Sequence, residues 1–275
     1  MKNKSILLVL PALALICSCS SEPGSDYKEI DATTARAQAK QIETNVESKS
    51  FTLPNKVTYT FSSSASGKDK NGNTGANLKG SSSLDLENKY VHFCLEGDAF
   101  GENGGSGKME GWSYIKDNQF VAAIESGATK AYSLVSIEGG EQEFDSFVKK
   151  ANLNSDTLIG MAKEFADEIA DYASAKLDIT IGTAGIKSES KFFKGSGDGD
   201  LKLEYKQSFE SSSYSYNEEG KFVLGSYLPT YFYYKKTGNF DGAAFQSESK
   251  FQFDWGKCDL NYPNLDSFTL NASTL

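Results

Sequence analysis

A two-residue alternation of apolar and polar side chains recurs along most of this chain and constrains its fold more than any other feature. Leu201, Leu203, Tyr205, Gln207 and Phe209 fall on one side of a run whose other side is polar. Val57-Thr58-Tyr59-Thr60-Phe61 and Leu177-Asp178-Ile179-Thr180-Ile181 repeat the pattern, and Phe251, Phe253 and Trp255 share one side of a late segment. Period two marks strands with one face buried. Asn71-Gly72, Asp117-Asn118 and Asp241-Gly242 lie between such runs, and these dipeptides suit two-residue hairpin turns, so the strands pair antiparallel. Leu78 to Leu95 reads as one long strand. Gly111 to Ser126, Thr129 to Ile137, Lys187 to Phe193, Lys221 to Leu224, Tyr227 to Lys235 and Phe245 to Leu260 read as others, and Gly101 to Gly107 reads as a glycine-rich loop.

The period changes to a helical one in three places. Asp31 to Ser48 keeps a loose spacing of Ile30, Ala37, Ile42 and Val46, with Asp31 as N-cap. Glu143 to Lys150 carries Phe144, Phe147 and Val148 on one face. From Ser155 or Asp156 to about Ala175, Leu158, Ile159, Ala162, Phe165, Ala166, Ile169 and Ala173 repeat at helical spacing. An antiparallel sheet of this size must cover its apolar face, and the helices are the available cover. The chain is therefore expected to be α+β: one large curved antiparallel sheet, an incomplete barrel, with the N-terminal helix and a central helical pair packed on its concave face. Residues 27–275 are read as one domain.

The N-terminus carries a different signal. Lys2 and Lys4 precede an apolar run, Ile6 to Ile16, of roughly eleven residues, too short to span a bilayer. The run ends in Ile16-Cys17-Ser18-Cys19, which resembles the lipobox of bacterial lipoproteins. Cys17 follows the large Ile16, whereas Cys19 follows the small Ser18, so Cys19 is the expected lipidation site. The resemblance implies a signal peptide over 1–18, a lipidated Cys19 with a polar tether over 19–26, and attachment to the extracytoplasmic face of a bacterial membrane. Several acyl chains on one residue anchor stably, at about 0.8 kcal/mol per buried CH₂.

Charge narrows the partners. The chain carries −9 overall; without Lys2 and Lys4 it has 26 basic and 37 acidic residues, and Arg36 is its one arginine. That balance argues against nucleic acid and against docking on anionic headgroups through a basic patch. Two cysteines remain after Cys17 and Cys19. In an exported chain Cys94 and Cys258 are a candidate disulfide, worth about 4–5 kcal/mol in the chain-entropy model, or two buried thiols.

No catalytic set emerges. His92 is the one histidine, placed by alternation opposite Val91, Phe93 and Leu95, as an ordinary strand residue. Asp69-Lys70-Asn71-Gly72-Asn73 opens like a calcium loop, but Thr74 and Gly80 stand where glycine and the bidentate glutamate are needed. Ser113-Tyr114-Ile115-Lys116 matches only the letters of a lactamase motif. The Gly101–Gly107 stretch lacks the lysine of a phosphate loop. The chain is accordingly read as a non-enzyme with no cofactor and no metal.

Aromatics are the remaining feature. Tyr214, Tyr216, Phe222, Tyr227, Tyr231, Phe232, Tyr233 and Tyr234 lie close together in sequence. They form either a wall for an apolar ligand or sugar, or simply good strand residues. Tyr227, Tyr231, Tyr233, Phe251, Phe253 and Trp255 are the candidate ligand-facing set. In the order of its elements the chain is similar to the LolA/LolB-like and LppX-like envelope proteins, in which helices close the mouth of an incomplete antiparallel barrel. That resemblance implies a lipid or other hydrophobic ligand in the hollow. The alternative is a surface module that binds a glycan or protein partner.

Overall fold

A computed structural model describes residues 26–48, 54–69, 72–101, 104–150, 155–174, 178–181 and 184–271. The signal segment, Cys19, nearly all of the tether, and Asn71 lie outside the described residues.

Alternation builds the sheet. The chain starts with β1 (Lys28–Ile30) and α1 (Ala32–Glu47), then runs through β2 (Lys56–Asp69), β3 (Gly72–Asp85), β4 (Tyr90–Phe100), β5 (Gly105–Lys116), β6 (Gln119–Ser126) and β7 (Thr129–Ser136). Two helices follow, α2 (Ile137–Lys150) and α3 (Ser155–Ser174). After them come β8 (Asp178–Ile181), β9 (Ala184–Lys194), β10 (Leu201–Glu210), β11 (Tyr214–Gly225), β12 (Leu228–Phe240), β13 (Ala243–Trp255) and β14 (Thr269–Leu270). The described strands form one 14-stranded sheet in the order β1-β9-β10-β11-β12-β13-β2-β3-β4-β5-β6-β7-β14, with β8 also on β9. All pairs are antiparallel except β7 with β14. The two hairpin series on either side of the helices are joined where β13 meets β2, with Phe251 opposite Phe61 and Phe253 opposite Tyr59. No described ladder connects β14 to β1, so the sheet curves without closing.

The expected class and architecture hold, and several boundaries move. The strand expected over Phe245–Leu260 ends at Trp255, where Gly256 turns through φ 79°, and the helix expected from Glu143 already begins at Ile137. The run Leu78 to Leu95 is two strands, because Asp85 accepts from the Asn88 backbone at 2.9 Å and its side chain at 2.7 Å, and Lys89 turns through φ 48°. Part of the expected glycine loop is strand, since Gly105 and Gly107 pair with Ala99 and Gly97. The strand expected from Lys221 begins at Tyr214, because β10 and β12 pair with it on both sides through the polar stretch Asn217–Gly220.

Helices cover the inner, concave face. Asp31 caps α1, accepting from the Thr34 backbone at 2.9 Å. Its buried stripe is Ala35, Ala39, Ile42 and Val46, while Ala37 is exposed. The small alanines let α1 lie against Ala162 and Ala166 of α3. Lys163 of α3 pairs with Glu43 and Glu47 of α1. Below, Phe165 of α3 meets Phe222 and Phe232 edge-on at 5.4 and 6.2 Å, and Phe144 of α2 meets Phe120 at 6.5 Å.

A second, smaller apolar cluster lies on the outer face, around Tyr90, Trp112, Tyr114, Val121 and Ala123. The chain after β13 crosses these strands as a strap. Asn261 is its anchor: its carbonyl accepts from the Tyr90 hydroxyl and the Trp112 indole, both at 2.8 Å, and its N–H donates to the Tyr90 oxygen at 2.9 Å. Tyr262 packs edge-on against Tyr90 and Tyr114, and Phe268 against Trp112.

Candidate ligand-binding trough

The register sorts the inner face of β9–β13 into rows. Phe192, Leu203, Phe222, Phe232 and Phe251 form a belt that continues to Phe61 on β2. All are buried. Beyond the belt lies a band of mostly small or polar residues: Ser190, Tyr205, Gly220, Tyr234, Ser249 and Ser63 in one row, then Ser188, Gln207, Glu218, Lys236 and Ser247. At the far end Phe209, Tyr214, Tyr216, Phe240 and Phe245 make an aromatic rim. Phe209 stacks on Tyr216 at 5.7 Å and Tyr214 on Phe245 at 6.1 Å. Phe240 meets Tyr214 edge-on and is 58 % exposed. The other four rim rings are half-buried. The inner face is thus apolar beneath the helices, polar in the middle and aromatic at its edge.

Glycines shape this surface. A Cβ on Gly220 would come within 2.2 Å of the Tyr205 ring, and one on Gly238 within 2.6 Å of the Phe245 ring. Tyr205 and Phe245 are the direct cross-strand partners of those glycines, so each ring lies flat over the position opposite. Phe93 covers Gly111 in the same way across β4 and β5. Such aromatic–glycine pairs fill the gap that a glycine leaves in a strand.

The polar band is internally bonded. Glu218 accepts from the hydroxyls of Tyr205 and Tyr234, each at 3.3 Å, and pairs with Lys236 at 3.2 Å. The Lys236 ammonium also sits 3.8 Å from the centre of the Tyr216 ring. Above, α3 contributes Tyr172, stacked on Tyr205 at 4.5 Å, and Glu168. Loss of water, then the charges of Asp171 and Glu218, push the Glu168 carboxyl up to about 7. Burial likewise raises the hydroxyls of Tyr172, Tyr205 and Tyr234, which stay protonated donors. Within this set no nucleophilic side chain is paired with a base.

The candidate residues divide between the two faces. Phe251 is buried in the belt and Phe253 in the next row of the inner face, opposite Tyr59, and Trp255 stacks on Phe253 with its indole donating to the Pro229 carbonyl at 2.6 Å. Tyr227 occupies the turn before β12 at φ 70° and accepts from Asn45 of α1 at 3.3 Å. Tyr231 and Tyr233 point the other way, to the outer face, where they line a groove of about 440 Å³ with Lys191, Glu204 and Lys221. An adjoining groove of about 560 Å³ runs past Lys187, Lys206 and Lys235. Cross-strand neighbours there alternate in sign, as in Glu189, Lys206, Glu219, Lys235 and Glu248. Lys202 and Lys221 both pair with Glu204. Such a lattice compensates its own charge and fixes register.

His92 also faces outward. It stacks on Trp112 at 5.2 Å and its Nε2 lies 2.9 Å from Glu110, which pairs in turn with Lys108. Cys94 and Cys258 are half-buried free thiols on this outer side, and burial pushes Cys258 up to about 11. Among the described residues no group of three or more acidic, histidine or cysteine side chains is arranged to hold a metal ion.

Sequence reasoning passed over the rim residues Phe209, Phe240 and Phe245 as a surface, and Glu168, Glu218 and Lys236 as a group. The alternation already placed Phe209 in line with Tyr205. The partners of Phe245 and Tyr205 required the register.

No family model matches the chain, and no curated protein matches it. Among solved structures it is similar to a beta-barrel-like protein of the domain of unknown function DUF1849 from Brucella abortus, at 8 % identity and a TM-score of 0.25, over 74 % of this chain and 98 % of that one. A likeness so slight carries neither fold nor function.

Proposed function

We propose that this protein is a lipid-anchored extracytoplasmic lipoprotein that binds a lipid or other hydrophobic ligand, without catalysis, in the inner trough of its half-barrel. One observation carries the binding half of this reading: the buried inner surface continues past the helices into an aromatic rim that is left half-exposed. Concave, mostly apolar surfaces with a few convergent polar groups are the usual form of small-molecule sites. The anchoring half rests on Ile16-Cys17-Ser18-Cys19. Among the described residues no helix is long and apolar enough to cross a membrane; in this reading attachment is through the lipid on Cys19.

Two experiments test the two halves. A fluorescent acyl-chain probe should bind the protein, and replacing Tyr216 and Phe240 together by serine should weaken it about tenfold, given the apolar area the rings contribute. Tyr233→Ser, on the outer face, should leave the affinity unchanged. No saturable binding would remove the reading. For the anchor, Cys19→Ala should move the protein from the membrane pellet to the soluble fraction; a variant that still sediments with membranes would contradict it.

The outer groove with Tyr231 and Tyr233 favours a second reading, a module that binds a glycan or a protein segment. A glycan screen in which Tyr233→Ser abolishes a hit retained by Phe240→Ser would favour it over the first.

A further inference from the structure

We propose, building on the lipid-anchor half of the reading above, that the end of the sheet carrying the aromatic rim docks tip-first on a second lipid bilayer, other than the one that holds Cys19, so that the anchored protein bridges two membranes. Two observations converge on this. The first is where apolar rings are left in solvent. Phe240 is 58 % exposed and Phe100 41 %. Phe240 ends β12 beside Tyr214, and Phe100 ends β4. The register sets them at the same end of the sheet: Phe245 lies opposite Gly67, Gly67 opposite Thr74, and Phe100 opposite the next residue, Gly75. Four strand spacings separate β12 from β4, about 19 Å. A partner that covers both rings is therefore broad, and a small ligand would reach only one. Phenylalanine rings with tyrosines beside them suit the interfacial layer of a bilayer. Lys68, Asp98, Glu210 and Asp241 are exposed at this end, mixed in sign and mostly acidic, so the headgroups that fit are neutral ones. The same end is the open edge of the trough, so a bilayer placed there is continuous with it.

The second is where the chain enters the sheet. Tyr27 donates to the Leu224 carbonyl at 2.8 Å, and Lys28 shares a row with Lys194, Leu201 and Leu224. That row is at the opposite end of β11 from Tyr214, ten residues away, or about 33 Å along the strand. Cys19 precedes Tyr27 by eight residues, which span at most about 29 Å fully drawn out. With the rim pressed tip-first on the anchoring bilayer, Tyr27 would stand about 33 Å from it, and the tether would fall short. The rim end therefore faces away from the bilayer that holds Cys19, toward the surface opposite.

The test is capture of one vesicle by another. The full lipidated chain is reconstituted in bead-bound phosphatidylcholine vesicles, its incorporation is measured, and dye-filled phosphatidylcholine vesicles without protein are added. The wild-type chain should hold dye on the beads. Phe100→Ser with Phe240→Ser should cut retention about tenfold or more, given the apolar area of two rings. Each single variant should lose part of the retention, which guards against a folding defect in the double one. Leu260→Ser, on the strap and exposed to 42 %, should leave retention unchanged. Phosphatidylglycerol added to the dye-filled vesicles should not raise capture; a rise would overturn the choice of a neutral lipid surface. A chain that incorporates but captures no vesicles, or captures them equally well as the double variant, would overturn the docking while leaving the anchor in place. A chain that fails to incorporate would remove anchor and bridge together.

Discussion

Tyr205 illustrates how single residues carry the inner face. Its ring lies between Tyr172 and Phe222, its hydroxyl donates to Glu218, and its edge covers the bare Cα of Gly220. Because the ring is held on both sides, Gly220→Ala should not be relieved by a simple rotation. A loss of about 1–3 kcal/mol is expected, read from the urea midpoint. Glu168 makes a pH-dependent contribution of definite sign. Its carboxyl is raised from the ordinary 4.5 to about 7, chiefly by desolvation and then by Asp171 and Glu218. The native state therefore holds this proton more tightly than the unfolded chain does. The associated stability is fully present below about 4.5 and is lost as the pH rises through about 7. Glu168→Gln should flatten that part of the stability curve, by about 1–2 kcal/mol at pH 8 once solvent screening of a partly exposed group is included. An unchanged curve would mean that Glu168 is solvated.

Among the elements, the strap depends least on local pattern. It has little regular structure beyond a short 3₁₀ turn, Leu265–Ser267, and the two residues of β14. It is nevertheless held at one point by three hydrogen bonds through Asn261. Tyr90→Phe removes two of them, and a cost of about 1–3 kcal/mol is expected for groups left without partners. Amide exchange at Asn261 should accelerate while exchange in α3 is unaffected. Exchange that rises equally in both would show that strap and helix open as one unit. The helices and most strands were legible in the sequence because their periods are set locally: Asp31 caps α1, and Phe165, Ala166 and Ile169 mark the inward face of α3. The strap was not legible, because the residues that hold it, Tyr90 and Trp112, are far away in sequence. The split of the run Leu78–Leu95 was hidden for a different reason. Its turn is made by Asp85 bonding Asn88 and by a lysine at positive φ, which is an uncommon turn residue.

At the scale of the molecule, the alternation fixes which residues face inward, and the helices cover only part of that face. The sheet class and the concave position of the helices therefore follow from pattern. The rows do not: a row is defined by which strand lies beside which, and the join of β13 to β2 links segments at opposite ends of the chain. This is why the candidate aromatics divided between two faces. Tyr231 and Tyr233 have the parity opposite to Phe232 and Phe251, and parity is plain in the sequence only once a neighbour is known. The part of the inner face beyond the helices, from the polar band to the aromatic rim, is the surface on which the proposed binding role depends. Native mass spectrometry of the protein, before and after extraction with organic solvent, tests that role most directly. The account predicts a reproducible added mass of a lipid-like molecule, removed by extraction and diminished in the Tyr216→Ser, Phe240→Ser double variant. A single unliganded mass that stays unliganded when lipid extract is added back would contradict it.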